Sequence, residues 1–526
     1  MRGERLFRIL GLVDAALIEE AGTASSAAAF KRRTARRRSL AGAACLSALC
    51  GLSFAWLATG GFSGMGASAP QKQSGGGGSG VIDQDAAEFM SYAGPVLPLT
   101  TAEPDTALTA ERTITWDFSP GAYEDGAPRQ WGAAVTDEYL LTNPTDQTVH
   151  YTALYPFTGS FSELASLSPA VSADGIKTQA VLYAGAYSGG FQSTQGSAQP
   201  DTMNLDPPDS WADYQALLGD GSYLRQALSP APTVNIPVTV YEFTDFHAPT
   251  QEYDAATQAV SFTIDKSRTT VLTYGFNGAS RDEDTGWRQY DFFVPNGVRR
   301  ESEIKLLVIL GDDIGRYDLQ GYQNGDTSPG NELEEVSCTV TRTRATLDAV
   351  LARLCGESAR LYTDSLPAGE AGPFDFITPE MFSGAAAELL MHNGALSADG
   401  GADRYSDGRL DEILLETLYH DRVFYLAFAV DLSPGESLTA SVSFRKAPSF
   451  DFDCSASENS GLQGYDLATS LGSSLHFVSQ QAVLAGADTV SLIRQNFGFE
   501  PESGILAVPL DLSQAHYHLQ IRPLGE

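Results

Sequence analysis

Two aspartates with the spacing of a β-strand are the best candidates in this sequence for binding a metal ion. Asp451 and Asp453 flank Phe452, so the alternation of a strand places both carboxylates on the same face. Glu458 and Asp466 follow nearby, and carboxylate oxygens are the ligands that Ca²⁺ prefers in proteins. The alternative is an ordinary solvent-facing strand that holds no ion. The sequence therefore indicates Ca²⁺ as the one cofactor to test, and it indicates no organic cofactor.

Two tryptophans are candidates for contacting a carbohydrate. Trp131 and Trp211 lie in segments rich in Asp, Pro and Gly, which is the composition of surface loops. Aromatic rings in such loops can stack on the apolar C–H faces of sugar rings. The alternative role for both rings is packing in the core. Ligand binding at these positions predicts that the rings lie exposed on a flat face or in a groove.

Residues suited to catalysis form no recognisable motif, so the catalytic residues stay unassigned. His516 and His518 point the same way on one strand, but a zinc site needs a third ligand, and the sequence contains neither HExxH nor paired CxxC. It also lacks a G-x-S-x-G elbow and a P-loop. Asp312 and Asp313 follow an apolar run, a place where carboxylates can serve catalysis. A hairpin loop between two strands also explains these two acids, and we favour the loop.

A segment that begins at Asp403 is similar to a calcium-binding loop. EF-hand loops need oxygen ligands at positions 1, 3, 5 and 12 around a glycine at position 6. Asp407 and Gly408 fit positions 5 and 6, whereas Tyr405 and Leu414 occupy positions 3 and 12. We therefore predict that this segment is the entry turn of a helix, with Asp407 as its N-cap.

The elements that must position these residues are mainly strands. Short alternating segments separated by Gly, Pro and Asp predict sandwich-like β lobes. We expect 135–155 to form a hairpin around the turn that begins at Asn143. We expect 423–444 to form a second hairpin around the turn that begins at Ser433.

A helical stretch interrupts these strands. Thr346 and Thr378 have the sequence context of helix N-caps, and 409–419 has helical periodicity. The predicted fold class is therefore mainly β with a helical insertion, an α+β arrangement outside a single transmembrane helix. The predicted segments are 1–38 (cytosolic, amphipathic and basic), 39–60 (transmembrane helix), 61–91 (flexible Gly/Ser tether), 92–343 (β-sandwich-like lobe), 344–420 (helical insertion) and 421–526 (second β-rich lobe).

The N-terminal region predicts attachment to a membrane. Six Lys and Arg residues within 31–38 precede an uncharged stretch, 39–71, whose apolar part has about the length of 20 residues that spans a bilayer as a helix. The basic flank stays in the cytosol, so the bulk of the chain faces outward. An atypical cleaved signal is the alternative to an uncleaved anchor.

The segment before the basic cluster suggests a second role. Residues 5–21 have helical apolar spacing, so they lie either on the inner membrane face or in a groove of a cytosolic partner. Together with the basic cluster and the span, this segment resembles the N-termini of single-pass membrane proteins of gut Firmicutes, some of which resemble anti-sigma-type regulators. The resemblance is confined to 1–60 and lacks the His/Cys zinc site that some anti-sigma factors use. It implies a link to cytosolic regulation.

Charge and cysteine content limit the function classes. The net charge of −33 disfavours nucleic acid and anionic lipid as partners of the outer part. The five cysteines, two of them within the predicted span, form no disulfide framework. We interpret the chain as a bacterial cell-surface module that binds a wall polymer, a glycan or a protein without catalysis. The alternatives are an extracellular hydrolase acting on glycans or peptides, and a structural envelope protein.

Overall fold

The fold is mainly β, with several sheets and few helices, and this confirms the predicted class at that level. The computed structural model describes residues 91–122, 128–129, 132–186, 190–191, 205–206, 210–249, 256–295, 303–367, 369–392, 407–451 and 461–524.

The predicted membrane attachment falls on residues outside these ranges. The predicted cytosolic segment 1–38, the span 39–60 and all but the last residue of the tether 61–91 are not among the described residues. Within the described ranges, none of the helices combines the length and the apolar character needed to cross a membrane. The membrane anchor therefore stays a prediction.

Three sheets combine strands from the two ends of the described chain. Strands are numbered in chain order, and each sheet is given in spatial order. Sheet A contains β1 (Ser91–Tyr92), β25 (Phe450–Asp451), β26 (Gln463–Ala468), β30 (His516–Pro523) and β28 (Val490–Gln495). Sheet B contains β10 (Val181–Ala184), β23 (Arg422–Leu432), β7 (Val149–Gly159) and β2 (Thr100–Thr101). Sheet C contains β29 (Ala507–Pro509), β27 (His476–Ala485), β3 (Thr109–Asp117), β6 (Ala133–Thr142), β24 (Ser437–Lys446), β8 (Ala170–Ala173) and β9 (Ile176–Thr178).

The middle of the chain forms two further sheets that pack face to face. Sheet D contains β21 (Ser337–Thr346), β13 (Pro237–His247), β18 (Lys305–Gly311), β15 (Thr269–Tyr274) and β22 (Asp407–Arg409). Sheet E contains β16 (Gly278–Asp282), β17 (Trp287–Phe293), β14 (Ala256–Thr263), β19 (Tyr317–Gln323) and β20 (Glu332–Leu333). The core between them is aromatic: Phe243 of sheet D meets Phe292 of sheet E edge to face, with ring centroids 5.7 Å apart.

Short strands and six helices complete the described elements. Two ribbons pair β4 (Gly121–Ala122) with β5 (Pro128–Arg129) and β11 (Gly190–Phe191) with β12 (Leu205–Asp206). The helices are α1 (Leu164–Leu167), α2 (Trp211–Leu218), α3 (Ser222–Ala227), α4 (Leu347–Ser365), α5 (Pro379–His392) and α6 (Leu410–Tyr419). Turns of 3₁₀ helix occur at Phe161–Glu163, Pro373–Asp375, Ala487–Thr489 and Pro501–Ser503.

Helix starts follow the capping signals, with one exception. The Thr346 hydroxyl accepts from the Ala349 N–H at 3.4 Å, and the Thr378 hydroxyl accepts from the Met381 N–H at 3.1 Å, which confirms both predicted N-termini. The predicted Asp407 cap is wrong. Asp407 pairs instead with Val271 in a parallel strand, because β22 completes the edge of sheet D before α6 begins.

Strand β18 shows how the helices join the middle sheets to the rest of the molecule. Leu307 and Ile309 point into the core between sheets D and E. Leu306, Val308 and Leu310 point the other way, into the large core that also contains the apolar faces of α4, α5 and α6. Because both faces of β18 are buried, its sequence reads as a continuous apolar run and not as an alternation.

Strand pairing divides the chain differently from the predicted lobes 92–343 and 421–526. Strands β3, β6 and β7 of the first segment pair with β27, β24 and β23 of the second. Sheets A, B and C therefore need both ends of the described chain, whereas sheets D and E are built from the middle. The predicted helical insertion 344–420 contains α4, α5 and α6, and its last strand belongs to sheet D.

Both predicted hairpins are wrong, although all four strands exist. Strand β6 pairs within sheet C and β7 pairs within sheet B, so the turn at Asn143 crosses from one sheet to the other. The turn at Ser433 crosses between the same two sheets, and the two crossings are hydrogen-bonded to each other. The Gly435 N–H donates to the Asn143 carbonyl at 2.9 Å, and the Asn143 N–H donates to the Glu436 carbonyl at 3.0 Å. Crossing places the apolar residues of consecutive strands on opposite walls of one core.

Candidate functional site

The predicted ligand-binding residue Trp211 begins α2 and is held against sheet A. The Ser210 hydroxyl caps this helix by accepting from the Asp213 N–H at 3.3 Å. The indole of Trp211 stacks on the imidazole of His516, with ring centroids 4.5 Å apart and an interplanar angle of 11°. Trp211 is half-buried, so one aromatic face is already covered within the molecule. Ligand binding at this ring stays a prediction.

His516 lies beside a buried carboxylate. Its Nε2 lies 2.9 Å from Oδ1 of Asp466, and the other oxygen of that carboxylate accepts from the Tyr92 hydroxyl at 2.7 Å. The Asp466 side chain is 4% exposed and the His516 side chain is 29% exposed. We call Trp211, His516, Asp466 and Tyr92 the His516 cluster. An imidazole next to a carboxylate is an arrangement that general acid–base catalysis uses.

The second histidine of this strand is less basic than usual. Burial lowers the pKa of His518, and the neighbouring His516 lowers it further. The two imidazole centroids are 6.2 Å apart. The described residues contain no group of three or more His, Cys, Asp and Glu side chains that could hold a metal ion.

A buried lysine contacts the residue that follows β1. The Lys446 ammonium, only 2% exposed, donates to the Ala93 and Ala447 carbonyls at 3.1 Å each. Burial lowers its pKa to about 8, while Glu163 and Asp421 act in the opposite direction. We call Lys446, Asp421 and Glu163 the Lys446 cluster.

The pKa of Asp421 in the Lys446 cluster is also shifted toward the neutral form of its side chain. Burial raises the pKa of Asp421 to about 7, and the Glu163 carboxylate raises it as well. Lys446 and Arg422 oppose this shift without cancelling it. The cluster therefore changes its protonation near neutral pH, although its lysine is closed off from solvent.

An aromatic and polar strip on sheet E faces away from the aromatic core. In β17, Tyr290 and Phe292 point inward, so alternation places Trp287, Gln289, Asp291 and Phe293 on the outer face. Trp287, Gln289 and Phe293 are half-buried, whereas Asp291 is 8% exposed. We call these four outer residues the β17 strip.

Asp291 is the most buried residue of the β17 strip, and its cross-strand neighbours are small. Gly278 stands opposite it in β16 and Ala259 stands opposite it in β14. The carboxylate leans over Gly278 and fills the space that a Cβ there would occupy. Burial raises the pKa of Asp291 to about 6. Among the described residues, no hydrogen-bond donor or cation contacts this carboxylate.

An open depression of about 430 Å³ lies on sheet D instead. It is lined by Glu242, Thr244, Asp245, Phe246, Pro295, Glu303 and Ile304. Asp245 adopts a φ of 51° at a bulge of β13, and Glu242 forms an ion pair with Arg353. The lining is acidic, and one of its three carboxylates, that of Glu242, is already paired with an arginine.

The predicted calcium site is described only in part. Asp451 pairs with Gln463 and Ser91 through the backbone of β25, and Asp453 lies outside the described residues, as does Trp131. Calcium binding at Asp451 and Asp453 therefore stays a prediction. Asp313, by contrast, has a structural role, since it accepts from the Tyr241 hydroxyl at 2.8 Å and from Arg342 Nε at 2.9 Å. Those contacts outweigh burial and lower its pKa.

Sequence reasoning missed Lys446 and the β17 strip, although both carry a signal. Lys446 continues the alternation of Val442 and Phe444, which are buried. That spacing predicts an inward-pointing lysine. In β17 the alternation of Trp287 with Gln289 predicts a mixed aromatic and polar face, which becomes visible only once the inward residues are known.

Comparison with known proteins assigns no relatives: no family model and no curated protein matches this chain.

Proposed function

We propose that this chain is a membrane-anchored, outward-facing module with sandwich-like β lobes, and that it binds a glycan of the bacterial envelope without catalysis. The β17 strip is the observation that carries the proposal. It places the rings of Trp287 and Phe293 on one strand face, with the amide of Gln289 and the carboxylate of Asp291 between them. The strip combines the two chemistries that a sugar ring requires of its binding surface.

The chemistry of the strip matches that of an oligosaccharide. A pyranose ring has an apolar C–H face that stacks on aromatic rings and a rim of hydroxyls that bond to amides and carboxylates. Alternate residues of a strand repeat at roughly 6.6–6.8 Å, so the strip extends roughly 20 Å from Trp287 to Phe293. That length accommodates several linked sugar rings.

The rigidity of the strip also supports binding. Strand β17 is hydrogen-bonded on both sides, to β14 and to β16, and its inward residues Tyr290 and Phe292 are locked in the aromatic core. A surface that does not reorganise loses little conformational entropy when a ligand binds. The Gly-rich tether and the basic, apolar N-terminus support display of this surface outside the membrane.

The proposal is tested with the full-length protein in detergent and a panel of tetrasaccharides derived from peptidoglycan, chitin, chitosan and cellulose. Tryptophan fluorescence and calorimetry measure the dissociation constants. We expect Trp287→Ala to weaken binding at least tenfold and Trp211→Ala to leave it unchanged. The reverse pattern would move the site to the His516 cluster, and no binding by any oligomer would refute the glycan function.

The His516–Asp466 contact favours a second candidate, an extracellular hydrolase. The imidazole is paired with a buried carboxylate and retains partial access to solvent. The same oligosaccharides, incubated with the protein and analysed for new reducing ends, test this candidate. Cleavage that is lost in His516→Ala but retained in Trp287→Ala would establish hydrolysis at the His516 cluster.

A further inference from the structure

We propose that Asp291 anchors an amino sugar, so that the glycan recognised by the β17 strip carries free ammonium groups. This inference rests on the proposed function of the strip and specifies its ligand class. It is carried by three observations: a carboxylate that no described donor or cation contacts, a strand face on which the described residues include no Lys or Arg, and amide and hydroxyl groups on either side.

The first observation is the state of the carboxylate itself. Asp291 is nine-tenths buried, and among the described residues neither a donor nor a cation bonds to it. Burial is the sole cause of its raised pKa, whose value of about 6 leaves the group ionised at pH 7. A desolvated anion is costly unless a cation or hydrogen-bond donors contact it. A ligand ammonium supplies both and forms charge-assisted hydrogen bonds to the carboxylate.

The second observation is the charge of the surrounding face. Strand alternation and register place the side chains of Asp282, Asp318 and Glu332 on the same outer face as Asp291. No Lys or Arg of the described strands β14, β16, β17, β19 and β20 shares that face, since Arg281 and Arg288 have the inward parity. The potential of the face therefore attracts a cation and repels an acidic glycan.

The third observation concerns the groups beside the carboxylate. Gln289 lies one repeat along the same strand, and Ser280 and Ser261 stand opposite it on the two neighbouring strands. These amide and hydroxyl groups suit the hydroxyls that flank the amine of a sugar ring. The carboxylate itself occupies the space over Gly278, so it lies between the two neighbouring strands and beside these groups. A lysine side chain as ligand would contact the carboxylate but would not need these amide and hydroxyl groups.

The experiment compares four probes on the full-length protein in detergent at pH 7. They are a β-1,4-linked glucosamine tetramer, its fully N-acetylated form, cellotetraose and tetralysine. We expect the glucosamine tetramer to bind at least tenfold more tightly than the other three. Asp291→Asn should remove that preference, and Gly278→Ala should weaken it because the new Cβ displaces the carboxylate. Asp146→Asn, which neutralises an exposed acid in the turn after β6 and away from the β17 strip, is the matched control and should retain the preference.

The outcomes separate the two proposals. Equal binding of the three sugar tetramers, unchanged by Asp291→Asn but lost in Trp287→Ala, keeps the glycan function and overturns the amino-sugar inference. If tetralysine binds most tightly of the four probes, the ligand is not an amino sugar and the inference is wrong. Absence of binding by all probes overturns this inference. Thermal unfolding of each variant identifies a folding defect, and the Gly278→Ala variant provides an independent route to the same group.

Discussion

The guanidinium of Arg112 and the carboxylate of Asp137 form a two-point ion pair inside the core, with N–O distances of 2.8 and 2.7 Å and neither side chain exposed. Arg112 also donates to the Ala468 carbonyl of sheet A, and Tyr155 of sheet B donates its hydroxyl to Asp137. One charged pair of sheet C therefore contacts all three sheets that combine the two ends of the chain. We infer that this pair fixes the mutual arrangement of sheets A, B and C.

Removing one partner of this pair leaves the other as an uncompensated buried charge. Asp137→Asn should therefore lower the free energy of unfolding by about 3–5 kcal/mol. Urea unfolding followed by circular dichroism measures the change. The control is Asp431→Asn, which breaks an ion pair with His150 that is exposed on both sides and should cost less than about 1 kcal/mol. Similar losses in the two variants would contradict a special role for the buried pair.

Asn143 holds the two sheet crossings together through its side chain. Its amide donates to the Gln147, Leu432 and Ser433 carbonyls, and its carbonyl oxygen accepts from the Thr145 N–H at 3.0 Å. Asn143→Ala removes the buried hydrogen bond to the Leu432 carbonyl and the part-buried bonds to Gln147, Ser433 and Thr145, so we expect a loss of about 2–4 kcal/mol in unfolding free energy.

The control for that substitution is Ser437→Ala. It removes an exposed hydrogen bond to Thr142 in the adjacent strands and should change stability by less than about 1 kcal/mol. The two variants are compared by denaturant midpoint at constant slope. Equal denaturant midpoints for the two variants would show that the two sheet crossings do not depend on Asn143.

Lys446 should make the protein more stable as the pH rises above 8. Its folded-state pKa of about 8 is below the ordinary value of 10.5, so the unfolded state binds more protons within that window and stability increases with pH. Between pH 8 and 9.5 the gain should be about 1–2 kcal/mol. Lys446→Met should abolish this rise, whereas the exposed Lys177→Met should retain it. Parallel profiles for all three proteins would contradict the assignment.

Asp291 should make the protein less stable as the pH rises from 4 to 6. Its folded-state pKa of about 6 is above the ordinary value of 3.8, so the folded state holds the proton longer and loses stability when the proton leaves. Asp291→Asn should match the wild type at pH 4 and exceed it at pH 7 by up to about 3 kcal/mol. Urea unfolding at the two pH values measures this, with Asp318→Asn as the control. If Asp291→Asn is no more stable than the wild type at pH 7, another group already compensates the charge of Asp291.

Local signals in the sequence determined the elements themselves. Ile114 and Trp116 have the alternating spacing of one strand face, and both are fully buried in β3. The caps at Thr346 and Thr378 predicted two helix starts correctly, because a cap depends on residues within one turn of the helix.

Only part of the candidate site could be predicted from the sequence. Ligand binding at Trp211 stays a prediction, and the stacking of this ring on His516 joins positions far apart in the chain. Asp291 looked like any polar residue in an alternating strand. Its position over Gly278 and beside Ala259 depends on pairing with two other strands.

Only the tertiary structure decided which strands pair. A turn such as the one at Asn143 has the same composition whether the chain returns beside itself or crosses to the facing sheet. The choice depends on the summed burial of strands that are distant in sequence, here β6 with β24 and β7 with β23. Alternation and capping are short-range effects that a sequence records directly. Pairing is a long-range free-energy difference, and for this chain it determined the sheets, the two cores and the face that carries Asp291.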